Sequence, residues 1–127
     1  MDSWNGAERR RASRVNYPCL LKVLANDVRK DEIILTHVEN ISLTGVCVFL
    51  TREFRINIQI ELEIDLLDFE PNVKCVGRIA RCEKGRKSDQ VDAMVYEIGI
   101  QFVELEKEGK LRISNVVESL SRKKGRL

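Results

Sequence analysis

From Arg55 to Leu66 apolar and polar residues alternate without a break. Ile56, Ile58, Ile60, Leu62, Ile64 and Leu66 are interleaved with Arg55, Asn57, Gln59, Glu61, Glu63 and Asp65. A period of two puts every apolar side chain on one face of a strand, whereas a helix would scatter them around its circumference. Shorter apolar segments on either side read as further strands. They are Tyr17 to Leu24, Glu32 to Val38, Val46 to Leu50, Val73 to Cys82 and Met94 to Val103. Turn chemistry separates them: Asn26-Asp27, Asn40 to Gly45, Asp68 to Asn72, and a polar stretch from Glu83 to Asp92 that is expected to be a mobile loop. After Leu105 the period changes. Ile113, Val116, Val117 and Leu120 recur at helical spacing, and Arg122 to Arg126 close that helix with positive charge, which suits its C-terminal dipole. The expected fold is all-β, a small six-stranded antiparallel barrel that removes exposed edges by closing, with a C-terminal amphipathic helix against its flank or opening. Residues 1–15 lack periodicity and are expected to be a flexible basic N-terminal arm. Residues 16–127 are expected to form the barrel and helix.

Composition narrows the class. The chain has 127 residues, 43% hydrophobic and 33% charged, which suits one globular domain with a core of its own. The net charge of +2 says little, but basic residues crowd both ends, as Arg9, Arg10, Arg11 and Arg14 and again as Arg122, Lys123, Lys124 and Arg126. No apolar run approaches the ~20 residues of a membrane helix, and the first residues lack the apolar stretch of a signal peptide. A cytoplasmic protein without membrane insertion is expected. Cys19, Cys47, Cys75 and Cys82 are far apart, form no CxxC pair and lie in apolar segments, so they read as buried reduced thiols. His37 is the only histidine and reads as a strand residue. Neither a metal site nor a catalytic set can be assembled, so the chain is not expected to be an enzyme.

Two short motifs remain. Arg10-Arg11-Ala12-Ser13-Arg14 is an RxxxR, and Asn40-Ile41-Ser42-Leu43-Thr44-Gly45 is an NxSxxG. Each alone is common, as a solvated basic arm or a polar turn. In this order, on this strand pattern, they resemble the PilZ domain family. The likeness extends over about residues 8–120 and includes Gly77-Arg78-Ile79-Ala80-Arg81, a final strand Tyr96-Glu97-Ile98-Gly99-Ile100-Gln101-Phe102 and the trailing helix. Arg78 and Arg81 have opposite parity, so at most one would face a site from a regular strand.

The resemblance implies a receptor for cyclic di-GMP, with no cofactor and no chemistry performed on the ligand. It assigns ligand contacts to Arg10 and Arg14, with Arg11 a weaker candidate, and to Asn40, Ser42 and Gly45. Arginine suits this ligand because its planar fork fits phosphate oxygens and the O6/N7 edge of guanine. Asn40 offers an acceptor and a donor, Ser42 a small hydroxyl, and Gly45 close backbone approach or a positive φ. Many relatives carry aspartate where Asn40 stands, so a weaker bond is expected here. Arg9, just before the motif, resembles the family's selector for two intercalated ligands per domain. The arm is expected to order on binding, and the signal to pass to an unidentified downstream protein. Two other readings compete: a small basic barrel that binds nucleic acid, and a degenerate PilZ domain acting through protein contacts alone. Low aromatic content, 6%, argues against base stacking, and intact motifs argue against degeneracy. Trp4 is either an arm residue or a lid over the ligand.

Overall fold

The computed structural model describes residues 14–26, 31–87 and 94–125. Seven strands form one sheet: β1 (Leu20–Asn26), β2 (Asp31–His37), β3 (Asn40–Ile41), β4 (Gly45–Leu50), β5 (Gln59–Asp65), β6 (Val73–Lys87) and β7 (Met94–Leu105). One helix, α1 (Lys107–Gly125), follows. The sheet order is β2-β1-β5-β6-β7-β4-β3, and every neighbouring pair is antiparallel.

The sheet curls into a barrel-like form because its two ends are consecutive in the chain. Between β2 and β3 lie only Val38 and Glu39. Val38 N–H donates to the Cys19 carbonyl at 2.8 Å, beside β1, and Glu39 N–H donates to the Cys47 carbonyl at 2.8 Å, in β4. This corner accounts for the seventh strand. The Asn40-Ile41 segment, expected to be turn, pairs with Cys47 and Val46 and closes the curl.

Alternation fills the inside. Leu21 and Val23 of β1, Leu62 and Ile64 of β5, Ile79 of β6, Ile98 and Ile100 of β7 and Val48 of β4 are all buried. Their neighbours Lys22 and Glu63 face outward and pair at 3.6 Å. The helix belongs to the same core, since Ile113 and Val117 are buried within it. Its Arg112 reaches back to the β5–β6 turn, with Nε and NH2 on the two Asp68 carboxylate oxygens at 3.0 and 2.7 Å and NH1 on the Pro71 carbonyl at 2.7 Å.

Strand ends depart from expectation at two places. Ile56, Asn57 and Ile58 precede β5 rather than opening it. Asn57 has φ 73° and Ile56 is exposed, so the alternating pattern there runs through a turn. The loop expected from Glu83 begins later, because β6 pairs with β7 as far as Lys87 and Met94. Burial pushes the Cys19 thiol up to about 11 and that of Cys75 to about 12, so both stay protonated. The expectations for Trp4, for the arm up to residue 13, for residues 88–92 and for the basic side chains from Arg122 onward lie outside the described residues.

Candidate functional site

The NxSxxG motif forms β3, a tight turn and the start of β4. Ser42 is 3% exposed. Its Oγ accepts the Thr44 N–H at 3.1 Å and meets the Thr44 hydroxyl at 3.0 Å, while Ser42 N–H donates to the Gly45 carbonyl at 2.9 Å. The serine hydroxyl therefore builds the turn as well as lining its mouth. Gly45 lies opposite Gln101 in the β4–β7 ladder. A Cβ at Gly45 would stand 2.0 Å from the Ile100 carbonyl oxygen. No glycine among the described residues has positive φ. Of the two reasons sequence offers for this glycine, close strand approach is the operative one.

Asn40 points to the outer face, and its ladder partners extend that face across four strands. Asn40 is opposite Cys47, Cys47 opposite Gly99, and Gly99 opposite Arg81. The next rung joins Gly45, Gln101 and Arg78. Both arginines lie on this face, contrary to the parity argument, because β6 is not regular. Its register against β7 shifts between Ile79 and Arg81, which leaves Ala80 as an extra bulged residue. The bulge adds one position and restores Arg81 to the face of Arg78. Arg78 then donates to Gln101 Oε1. Arg81 NH2 lies 3.0 Å from Glu97 Oε2 and 3.9 Å from Cys47 Sγ.

Asn40, Ser42, Gly45, Cys47, Arg81, Gly99 and Gln101 surround an open cleft of about 390 Å³, whose wall also includes Arg14, Thr44, Ala80 and Ile100. Arg14 arrives there because the next residue, Val15, pairs with Ile41 through two backbone hydrogen bonds of 3.0 Å and buries its own side chain. Arg14, Asn40, Ser42 and Gly45 thus share one cleft. Arg9 and Arg10 lie outside the described residues. Sequence reasoning missed the cleft roles of Gly99, Cys47 and Gln101. Phe49 of β4 stands exposed on the outer face opposite Glu97.

Electrostatics give the cleft its sign. Arg14 and Arg81 are the ionised side chains of its lining, and both are cations. Burial and the Glu97 charge push the Cys47 thiol up, while Arg81 and Arg14 pull it down; the balance keeps it protonated and poorly nucleophilic. A larger hollow of about 540 Å³ lies along β5, β6 and the end of β7. It sets Glu61, Glu63, Glu104 and Glu106 against Lys74 alone, a lining that repels phosphate. The smaller cleft is therefore the candidate anion site. Among the described residues no group of three or more His, Cys, Asp or Glu side chains could hold a metal, and no helix is long and apolar enough to cross a membrane.

A curled antiparallel sheet with a cationic cleft on its outer face and one trailing helix defines the class of protein. The chain belongs to the PilZ domain family, whose model matches residues 8–119. Solved structures share the fold. The Bacillus subtilis inhibitor of motility, MotI/DgrA, superposes with TM-score 0.70 at 18% identity over 91% of this chain and 51% of its own. The PilZ domain of YcgR from Escherichia coli, solved with c-di-GMP, gives 0.65 at 11% identity over 91% and 93%. The K. pneumonia MrkH–c-di-GMP complex gives 0.69 at 15% over 93% and 55%. The chain spans about half the length of MotI and of MrkH. No curated protein sequence matches it.

Proposed function

We propose that this chain is a cyclic di-GMP receptor that binds the dinucleotide in the β3–β4–β7–β6 cleft, performs no chemistry on it and signals through a partner protein. The observation that carries the reading is the convergence of Arg14, Asn40, Gly45 and Arg81 on one cationic cleft. Four residues of chain reach at most about 14 Å, so Arg10 is tethered within reach of the same cleft. The PilZ membership, and the c-di-GMP in the YcgR and MrkH structures, favour this ligand over other dianions.

Under this reading Arg9, Arg10 and Arg14 close over a ligand resting on Asn40, Ser42 and Gly45. Calorimetric titration with cyclic di-GMP, against GTP and cyclic di-AMP as controls, is the test. Binding selective for cyclic di-GMP is expected, and Arg10→Ala or Arg14→Ala should each weaken it by about 1–3 kcal/mol without altering circular dichroism. Absence of binding, or equal binding of the controls, refutes the reading. The arm is proposed to order over the ligand, which predicts that hydrogen exchange in residues 1–13 slows on titration. Arg9 is proposed to admit a second, stacked ligand by offsetting the added phosphate charge. The endpoint should then be about two ligands per chain, falling to about one in Arg9→Leu. A wild-type endpoint of one would refute the role of Arg9 and leave the site intact.

A further inference from the structure

Arg81 belongs to neither of the two motifs, yet it is the cation that the sheet itself presents to the cleft. Its position depends on two features. The bulge at Ala80 turns it outward, and Gly99 leaves the ladder position opposite it without a side chain. A Cβ at Gly99 would lie 3.4 Å from Arg81 Nε and 3.7 Å from NH2, so the side chain runs close over bare backbone. The guanidinium has five donors. Its NH2 faces Glu97 Oε2 at 3.0 Å.

Glu97 stands two residues before Gly99 on the same strand and hence on the same outer face. Its carboxylate offers Arg81 a pair of anionic acceptor oxygens, as a phosphate does. The pair is held loosely, with side chains 38% and 34% exposed, and exposed pairs of this kind add little net stability. Exchanging one anion for another at Arg81 therefore disturbs little of the fold. We infer that Arg81 is a further ligand-binding residue of the cleft, and that Glu97 is a built-in competitor which a ligand oxygen must displace from it. Glu97 then lowers affinity and sets the ligand concentration at which the domain responds. The inference rests on the cyclic di-GMP reading above.

The experiment is calorimetric titration of cyclic di-GMP into wild type, Arg81→Met, Glu97→Gln and the double variant, each checked by thermal melting. Arg81→Met keeps much of the apolar stem and should weaken binding by about tenfold or more, as the loss of a bidentate arginine contact requires. Glu97→Gln should tighten binding by about threefold or more in the wild-type background, and by less than about twofold beside Arg81→Met. Arg81→Lys, which keeps the charge and loses the fork, should lie between wild type and Arg81→Met; it carries the test if Arg81→Met does not fold. Wild-type affinity in the Arg81 variants overturns the inference alone, as does weaker binding by Glu97→Gln or an equal gain in both backgrounds. Wild-type protein that binds no cyclic di-GMP overturns the functional reading and this inference together.

Discussion

Two glycines of the outer face, Gly45 and Gly99, are silent for different reasons, and substitution separates them. At Gly45 a methyl group would enter the Ile100 carbonyl at 2.0 Å, and backbone cannot step aside without parting β4 from β7. Gly45→Ala is expected to cost more than about 2 kcal/mol, measured by urea denaturation. At Gly99 the nearest atom is Arg81 Nε at 3.4 Å, an ordinary contact with a flexible side chain. Gly99→Ala should fold within about 1 kcal/mol of wild type. Equal stability loss in the two variants would contradict this account. Binding lost in Gly45→Ala would report on the sheet, so Arg14 and Arg81 are the cleaner probes of the site. Ser42 behaves like Gly45. Its hydroxyl is engaged with Thr44, so Ser42→Ala is expected to cost about 1 kcal/mol by loosening the turn, before any ligand is considered.

At the scale of elements, legibility followed the length of the pattern. The core of β5 was readable because Ile60, Leu62 and Ile64 alternate against Glu61 and Glu63 over enough residues to exclude a helix. The two-residue β3 was not, since Asn40-Ile41 has turn composition and its pairing with Cys47-Val46 is set by a distant strand. The bulge at Ala80 was equally hidden, because an inserted residue is defined by the partner strand. That is why Arg78 and Arg81 could not both be placed on the outer face from spacing. The motif half of the cleft was legible as local chemistry, and the Arg81–Gly99 half was not, because it is made by register.

The β5–β6 turn lets an electrostatic contribution be tested. Arg112 donates to Asp68 and holds its carboxyl below the usual range. A carboxyl lowered on folding stabilises above its unfolded pKa, near about pH 4, and loses that contribution as pH falls through the lowered value. Asp68→Asn should therefore cost about 1 kcal/mol at pH 7, and the gap to wild type should narrow progressively as pH falls below about 4. A gap that persists undiminished in acid would assign the effect to packing. The same turn holds Leu67 and Phe69 at φ 59° and 63°, in the left-handed region, with Phe69 fully exposed. Asparagine tolerates that region better than phenylalanine, so Phe69→Asn is expected to raise stability by about 0.5–1 kcal/mol. Chemical denaturation reads the sign directly.

For the molecule as a whole, closure and core are one construction. The corner at Val38-Glu39 joins the ends of the sheet, and α1 adds Ile113 and Val117 to the same apolar interior. Ile113→Ala should cost about 2–4 kcal/mol. It should leave a single cooperative transition, because the helix and barrel share their buried contacts; separate melting of the helix would show the two to be independent. The order of strands was beyond the sequence, since the approach of β4 to β7 joins segments about fifty residues apart.

The bridge between Val15 and Ile41 has a practical consequence. It is short, two hydrogen bonds at the seam where the curl closes, and Arg14 immediately before it lines the cleft. A group attached directly at Arg14 is thereby attached at the lip of the binding site. A pull on the chain before Arg14 is borne first by those two bonds, whereas a tether at the far end of α1 pulls on the helix. Immobilising the protein by its N-terminus should therefore perturb ligand capture, and immobilising it by its C-terminus should not. A sensor built on this domain would carry its anchor at one end and its reporter dye at the other.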